Sequence, residues 1–287
     1  MAGFGYQILG FGSGGAAAPY NVQYLVVAGG GSGGTFSYGG AGGGAGGFRN
    51  VASKNFEVVQ GRDYTVTVGG GAAGNTTSDG EGIKGQNSVF DTITSAGGGG
   101  GINLGNTSSP TNSAHPTGNG SGGSGAGSAT YFQPTLIGQG GAGNIPPVSP
   151  PQGNDGGNGS TGMGPTSQRA GGGGGGAGSA GGNGASGAAG SGGNGSPFTI
   201  TGSDVTYAAG GGGRVQGQSA GGAGTANRGD ASPAGGAGTP TPSANGGSGI
   251  VVIRRLTADS STTSGNSVSI SGDDTIHTFT SDGIYTG

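Results

Sequence analysis

The 287-residue chain contains no cysteine and no tryptophan, and its only histidines are His115 and His277. Without cysteine it can form neither a disulfide nor a thiolate metal site. Charged residues are also scarce: nine are basic and twelve are acidic, which gives a net charge of −3. Binding to nucleic acid depends largely on clustered lysine and arginine. The composition therefore predicts no nucleic acid partner.

Long apolar runs are missing as well. No run approaches the roughly 18 residues that a transmembrane helix needs, so we expect no membrane insertion. The first basic residue is Arg49, and the N-terminal region therefore lacks the charged segment of a secretory signal. We expect the protein to assemble where it is made, or to leave the cell by lysis.

Large apolar side chains are too few for an ordinary core. Leu, Ile, Val and Phe together number 41 residues, below the level of a folded globular domain. Glycine accounts for 83 residues and loses more conformational entropy on folding than other residues do. Dense backbone hydrogen bonding and subunit contacts must supply the difference, so we expect a homo-oligomer or a symmetric assembly.

Glycine recurs at every third position between Gly171 and Gly195. A three-residue period belongs to the polyproline-II helix, which has three residues per turn and no internal hydrogen bonds. Its N–H and C=O groups then need partners on neighbouring helices. The run predicts a bundle of polyglycine-II helices. The periodic positions are Gly172, Gly175, Gly178, Gly181, Gly184, Gly187, Gly190 and Gly193.

Two other structures share such a composition. A flexible Gly/Ser linker or a disordered low-complexity tract is the first. Collagen is the second, but the chain has only 13 prolines and none lies inside the run, which argues against a triple helix.

Short apolar runs predict the β-strands that carry this bundle. The two runs beside Gly61-Arg62 indicate a hairpin, and the last three strands indicate a small meander. The predicted strands are residues 23–28, 55–60, 63–68, 88–94, 198–201, 205–207, 249–256, 268–270, 275–280 and 284–285.

The predicted fold class is mainly β and irregular. It combines a bundle of polyglycine-II helices with short antiparallel β-strands and almost no α-helix. Three parts are expected: an N-terminal anchor peptide at residues 1–20, a glycine-rich domain at residues 21–256, and a C-terminal β-meander at residues 257–287.

Motifs that carry chemistry are weak in this sequence. Residues 29–34 match G-x-G-x-x-G after a strand, but no helix-forming sequence follows, and so glycine-rich a chain produces the match by chance. Arg228-Gly229-Asp230 matches a known integrin-binding tripeptide, but three residues in so glycine-rich a chain are near chance. The GNDGGNG stretch at 153–159 resembles the calcium-binding nonapeptide repeat, but it occurs once, so no repeat coil can stack. Asp273-Asp274 is more typical of a turn than of a metal site, and His277 indicates a half-buried strand residue. We predict no catalytic, cofactor or metal site, and no enzyme activity.

Two aromatic groups are candidates for contacts with other molecules. The first lies in residues 1–20, whose apolar side chains favour an anchor that docks on a partner protein; a frayed terminus is the alternative. The second is the pair Tyr131-Phe132, which forms either a small satellite core or an exposed contact patch for a receptor. The anchor residues are Phe4, Tyr6, Ile8, Leu9 and Phe11.

Several stretches resemble one known family. YLVVAGGGSGG at 24–34, GGAGGGAGGF at 39–48 and SGIVVIRR at 248–255 are similar to the ends of the glycine-rich domain of tail fibres and other virion proteins of tailed phages. DYTVTVGGG at 63–71 and SVFDTITSAGGGGG at 88–101 also resemble it. TIHTFTSDGIYTG at 275–287 departs from the pattern, because in the family a similar segment usually precedes YLVVAGGG. That segment is therefore expected to pair with the N-terminal strand of the same or another subunit.

The resemblance implies a non-enzymatic structural protein on the surface of a phage virion, assembled in the host cytoplasm. It would be a fibre or decoration component that contacts other virion proteins through residues 1–20. The alternative is a host-receptor adhesin, whose variable loops bind a cell-surface glycan or protein. A third class, a secreted glycine-rich wall, silk or ice-binding protein, is disfavoured by the absence of a signal segment and of cysteine.

Overall fold

A computed structural model describes residues 17–77, 79–103, 118–129, 137–160, 169–236 and 241–287. In these residues it has twelve β-strands, one turn of 3-10 helix (Thr257–Asp259) and no α-helix. The fold is therefore mainly β and irregular, as predicted. The strands are β1 (Pro19–Val27), β2 (Phe48–Asn50), β3 (Phe56–Val59), β4 (Asp63–Thr67), β5 (Ser88–Phe90), β6 (Ile93–Ser95), β7 (Ser196–Phe198), β8 (Val205–Tyr207), β9 (Ile250–Leu256), β10 (Ser267–Ser271), β11 (Asp274–Phe279) and β12 (Gly283–Thr286).

The larger sheet has six antiparallel strands. Their order is β10-β11-β9-β1-β2, and β3 pairs with the first half of β1. The apolar runs of β1 and β9 lie at its centre, where Tyr24 is paired with Ile253 and Val26 with Val251. Both strands are buried along most of their length. A strand that is buried on both faces has a nearly continuous apolar sequence, and for this reason the β-branched runs predicted the strands correctly.

A second sheet, in the order β12-β4-β5-β6, packs against the first. Tyr64 and Val66 of β4 are buried and alternate with the more exposed Thr65 and Thr67, the two-residue period of a strand with one buried face. The aromatic rings of this core lie in contact at tilted or edge-on angles. The buried core residues are Tyr20, Val22, Tyr24, Val26, Val58, Tyr64, Val66, Phe90, Val251, Ile253, Phe279 and Tyr285.

Three predicted strand arrangements are wrong. Residues 56–67 do not form a hairpin, because β3 pairs with β1 while β4 pairs with β12 and β5 in the other sheet. Residues 88–95 form two short paired strands rather than one, with Asp91 at a φ of 52° in the turn between them. The C-terminal meander stops at β11, because β12 crosses to β4.

The C-terminal strands close the fold within one chain. β11 pairs with β9, which in turn pairs with β1, and β12 pairs with β4 in the other sheet. The expected direct pairing of residues 275–287 with the N-terminal strand is therefore wrong, because β9 lies between β11 and β1. On the other face of the large sheet, β7 pairs with β8, and the two strands cover a second core around Ile200, Tyr207 and Ile250. β8 has the predicted bounds, but β7 lies at Ser196–Phe198 rather than at 198–201, because residues 200–201 form the turn.

The glycine-rich segments continue directly from the strands and form a hydrogen-bonded bundle. Along residues 42–47, successive N–H groups donate to three neighbouring segments in turn, and every third N–H returns to the same segment. This three-residue period in the hydrogen bonds matches the three-residue period in the sequence. The pairs are Gly42 with Gly172, Gly43 with Ser232, Gly44 with Gly99, Ala45 with Gly175, Gly46 with Gly229 and Gly47 with Ala96, at 2.8–3.1 Å.

Residues 171–195 form neither α-helix nor any of the twelve strands, as predicted. The run is not one continuous segment, however, because the chain reverses twice. Gly176 donates to the Ser179 carbonyl at the first reversal. The second reversal lies between Ala185 and Ala188, which exchange two backbone hydrogen bonds, and Gly187 there has a φ of 73°.

The three resulting segments lie side by side. The N–H of Gly173 donates to the carbonyl of Gly182, and the N–H of Gly182 donates to the carbonyl of Ser191. At seven of the eight periodic glycines an added Cβ would collide with a backbone carbonyl of another segment or turn, and the exception is Gly187. Glycines between the periodic positions, such as Gly171, Gly173 and Gly174, would collide in the same way. Close backbone contacts therefore occur along the whole run and are not confined to every third residue.

Candidate functional site

The glycine bundle has two different ends. At its sheet end the segments run straight into strands: Ala28 donates to the Gly47 carbonyl and Gly249 to the Gly69 carbonyl. At its other end, which we call the loop end, the segments are joined by turns at residues 34–41, 79–80, 185–188 and 214–220. These turns are neighbours, since Thr35 donates to Gly80, Arg214 donates to Gly40, and Gly171, which lies against Gly184, donates to Arg214.

A small aromatic core holds the loop end together. Phe36 is buried with Ala41 and Ala129, and Tyr38 packs edge-on against Phe36 with ring centroids 5.7 Å apart. The guanidinium of Arg169 lies 4.7 Å from the centre of the Tyr38 ring, a cation–π contact. These side chains stabilise the turn at residues 34–41, although the sequence analysis did not single them out.

Polar side chains fix the same turns to one another. The carboxylate of Asp79 accepts hydrogen bonds from the backbone N–H and the hydroxyl of Ser37, both at 2.9 Å. The side-chain amide of Asn103 donates to the Thr35 carbonyl at 3.2 Å. Such contacts replace the water that exposed turn groups would otherwise bind, and so they set the shape of this surface.

A shallow groove of about 260 Å³ lies at the loop end. Its wall includes the half-exposed Ile137 and the amides of Asn158 and Asn183, and the Asn183 side chain accepts the Asn158 backbone N–H at 2.8 Å. An apolar side chain beside several amides and carbonyls suits a polar, uncharged ligand better than an ion. The GNDGGNG stretch that supplies Asn158 therefore lines a surface groove and stabilises backbone, through Asp155 and Asn154 as well.

A second groove, of about 370 Å³, lies where the bundle meets the sheets. Tyr24, Phe48 and Arg49 form one side, and Pro150 and Pro151 the other. The guanidinium of Arg49 donates to the Thr94 carbonyl at 3.1 Å. Burial raises the pKa of the Tyr24 hydroxyl, while the charge of Arg49 lowers it to a smaller extent. No acid or histidine lines this groove, so it holds no acid–base pair.

The most buried polar cluster lies between the two sheets. Arg255 and His277, on neighbouring strands, are 2% and 0% exposed. Arg255 Nε donates to His277 Nε2 at 3.1 Å, and its other nitrogens donate to the carbonyls of Leu256, Thr257 and Thr262. His277 Nε2 is thus an acceptor, so its Nδ1 carries the proton and donates to the Ser264 carbonyl at 2.7 Å.

Burial lowers the pKa of His277; the hydrogen bond to Ser264 raises it and the charge of Arg255 lowers it further. His277 is therefore completely buried rather than half-buried as predicted, because Arg255 and Ser264 satisfy both ring nitrogens. The alternation of apolar residues around His277 could not reveal the arginine on the next strand. Burial also raises the pKa of Tyr285, whose hydroxyl lies 2.8 Å from that of Tyr20.

Asp274 begins β11 beyond the predicted turn, which is formed by Gly272 and Asp273. Its carboxylate pairs with Lys54 at 2.6 Å and with Arg254 at 2.8 Å. Burial raises the pKa of Asp274, but the hydrogen bonds and charges of the two cations outweigh that effect and lower it overall. Asp274, Lys54 and Arg254 therefore form an ion-pair network of the sheet rather than a metal site.

The glycine motif at residues 29–34 and the tripeptide at 228–230 contribute backbone and side-chain contacts to the fold. Residues 29–34 are fully buried inside the bundle, where Gly29, Gly30 and Gly31 donate to other segments. Within the tripeptide at 228–230, the Asp230 carboxylate accepts the Ala209 N–H at 2.9 Å and Gly229 is buried. The predicted anchor residues Phe4, Tyr6, Ile8, Leu9 and Phe11, the pair Tyr131 and Phe132, and His115 all lie outside the described residues.

The described residues offer neither a membrane-spanning helix nor a cluster of metal ligands. No helix there is long and apolar enough to cross a membrane. In the same part of the chain, no group of three or more His, Cys, Asp or Glu side chains is placed to hold a metal ion.

Comparison with known proteins gives one match. No curated protein and no solved structure matches the chain. The family model described as a glycine-rich domain matches residues 12–255, a stretch that contains β1 to β8, nearly all of β9 and the glycine bundle. Because this match covers most of the chain, the protein belongs to the glycine-rich domain family.

Proposed function

We propose that the protein is a non-enzymatic structural component of the surface of a tailed-phage virion, a fibre or decoration protein anchored through its N-terminal segment. Of the anchor expected at residues 1–20, Pro19 and Tyr20 belong instead to β1, and Tyr20 lies in the core of this chain. The proposed anchor is therefore limited to residues 1–16. The observation that carries the proposal is the three-way hydrogen bonding along residues 42–47. Successive N–H groups there donate to three neighbouring segments in turn, and backbones touch without intervening side chains. Such a bundle makes a stiff scaffold out of a chain with few apolar residues.

The two ends of the bundle support a division of tasks within this proposal. The sheet end carries β1, so the anchor peptide at residues 1–16 leads directly into the large sheet. The loop end collects the turns at residues 34–41, 79–80, 185–188 and 214–220. A protein built this way can attach at one end and project its turns from the other.

The anchor is tested by removing residues 2–16, which leaves β1 intact. We expect the truncated protein to be soluble and to keep the thermal midpoint of the full chain, but to be missing from purified particles of the source phage. Incorporation of the truncated protein at the normal level would contradict the anchor. A full-length protein that is found only in infected cells, and never in particles, would contradict the virion location itself.

A second function, host attachment, is favoured by the gathering of turns and the Asn-lined groove at the loop end. The ligand would be an uncharged surface glycan or a protein. We expect fluorescent full-length protein to bind host cells, and the double variant Tyr131→Ala, Phe132→Ala to bind them more weakly while still entering particles. Equal binding by both proteins would exclude Tyr131 and Phe132 as the receptor contact, and absence of binding by the full chain would leave architecture as the function.

A further inference from the structure

Among the described residues, β10 pairs with β11 alone and forms an open edge of the six-stranded sheet. Four of its five residues are exposed, including Ile270 at 72% and Val268 at 39%. Its sequence, Ser-Val-Ser-Ile-Ser, contains no charge and no proline. Natural proteins usually protect such edges with lysine, proline or a covering segment, because an open edge is a template for pairing with another strand.

The hairpin turn fixes which backbone groups of β10 face outward. Gly272 and Asp273 form a two-residue turn, so the pair Ser271–Asp274 that closes it is hydrogen-bonded. Orientation alternates along the strand, and Ser267, Ser269 and Ser271 therefore direct their backbone groups toward β11. The N–H and C=O groups of Val268 and Ile270 point away from the sheet.

We propose that β10 pairs with β10 of a second copy of this chain, antiparallel, about a twofold axis at Ser269. In this register Val268 lies opposite Ile270 of the second copy, and the two strands exchange about four backbone hydrogen bonds. Residues opposite each other in an antiparallel pair share a face. The apolar side chains therefore meet on one face and the serines on the other, so the strand is complementary to itself.

Charge and pattern select this register. Asp273, the charged residue nearest to the strand, falls opposite the uncharged Gly265, so no like charges meet across the axis. A shift of one residue would set serine opposite isoleucine and mix the two faces. A shift of two residues toward the N-terminus would place Ile270 opposite the polar Asn266. The proposed register alone pairs both apolar residues with each other.

The contact is small. One pair of five-residue strands buries less than the roughly 1,200 Å² at which stable interfaces begin. We therefore expect weak pairing between free molecules and stronger pairing where many copies are held close together. The pairing does not depend on the proposed function, since it follows from the sheet alone.

The absence of cysteine from the chain allows a direct test. A Ser269→Cys variant has a single thiol, and at the twofold axis the two Cα atoms would be about 4.5 Å apart, within the range of a disulfide. The matched control is Ser267→Cys, on the same face of the same strand. It lies opposite Ser271, and its copy in the partner is about 13 Å away along the strands.

Under mild oxidation of the full chain we expect Ser269→Cys to form covalent dimers on the order of ten times faster than Ser267→Cys, because a disulfide forms only at short range. Adding Ile270→Lys to Ser269→Cys should reduce its rate to that of the control. Ile270 is exposed, so lysine fits there, and an unchanged thermal midpoint would verify folding.

Two results would overturn the proposal. One is equal dimer formation by Ser269→Cys and Ser267→Cys. The other is cross-linking of Ser269→Cys only after residues 2–16 are deleted, which would mean that the N-terminal segment of the same chain covers the β10 edge.

Discussion

Arg255 Nε lies 3.1 Å from His277 Nε2, and both side chains are buried between the two sheets. A neutral imidazole is required there, because a protonated ring could not accept from the guanidinium, which stays charged at all ordinary pH values. The cluster ties β9 and β11 to residues 257–264, whose carbonyls accept the remaining N–H groups.

This arrangement predicts acid sensitivity above the pH range of the carboxylates. The pKa of His277 is lowered in the folded protein and returns to about 6.5 on unfolding, so the unfolded chain binds more protons below that pH. Stability is therefore complete above pH 6.5 and falls as the pH decreases, by up to about 1.4 kcal/mol per pH unit. Denaturant unfolding between pH 7.5 and 5 measures it.

Two variants distinguish the effect of His277 on the pH dependence of stability from that of His115. His277→Gln should flatten this pH dependence, because glutamine can still accept from Arg255 but does not titrate. His115→Gln is the matched control and should leave the slope unchanged. An equal slope in the wild type and His277→Gln would show that His277 is not the titrating group.

The adjacent acids at 273 and 274 should differ sharply. The Asp274 carboxylate holds both Lys54 and Arg254, and Asp274→Asn should destabilise the fold by roughly 1–3 kcal/mol, since both partners lose their counter-charge. Asp273 contributes its backbone carbonyl to Thr257, so Asp273→Asn should change stability by no more than about 0.5 kcal/mol. Chemical denaturation of the two variants gives the comparison, and equal losses would contradict the ion-pair assignment.

The hydrogen-bond period also predicts a backbone conformation. Residues 42–47 and 171–176 should have φ near about −75° and ψ near about +145°, the values of a polyproline-II helix. Backbone chemical shifts and scalar couplings from NMR measure these angles residue by residue. The strand β9 is the internal reference, with the more extended φ of an antiparallel sheet. Angles in residues 42–47 equal to those of β9 would rule out polyglycine-II helices there.

The sequence revealed most elements but not their partners. β1 and β9 could be predicted as strands because both are long, apolar and buried along most of their length. The turn at Gly61-Arg62 also exists, with Arg62 donating to the Val59 carbonyl. Its two flanking strands nevertheless enter different sheets, because Tyr64 and Val66 pack into the core opposite β1. Pairing over more than 200 residues, as between β4 and β12, leaves no local signal.

The glycine segments could be predicted from the sequence only in part. Glycine itself correctly marks the close contacts, both on and off the three-residue period, because a missing side chain is visible in the sequence. Nothing marks where one segment ends, since glycine forms turns as readily as bundle segments. The reversals at Ser179 and at Ser186-Gly187 therefore could not be predicted. The loop-end contacts of Phe36 and Tyr38 were missed for a similar reason, since isolated aromatics in a glycine-rich tract carry no periodic pattern.

Gly184 tests the role of the period most directly. Its amide donates to the Asn158 carbonyl at 2.7 Å, and an added Cβ would collide with the carbonyl of Ala170. Gly184→Val should therefore push two segments apart, break hydrogen bonds between them and cost at least about 2 kcal/mol. Ala185 and Ser186, the next two residues, are exposed, so Ala185→Val and Ser186→Val should each change stability by no more than about 0.5 kcal/mol. Thermal midpoints of the three variants give the comparison, and equal midpoints would mean that the three-residue period has no structural role.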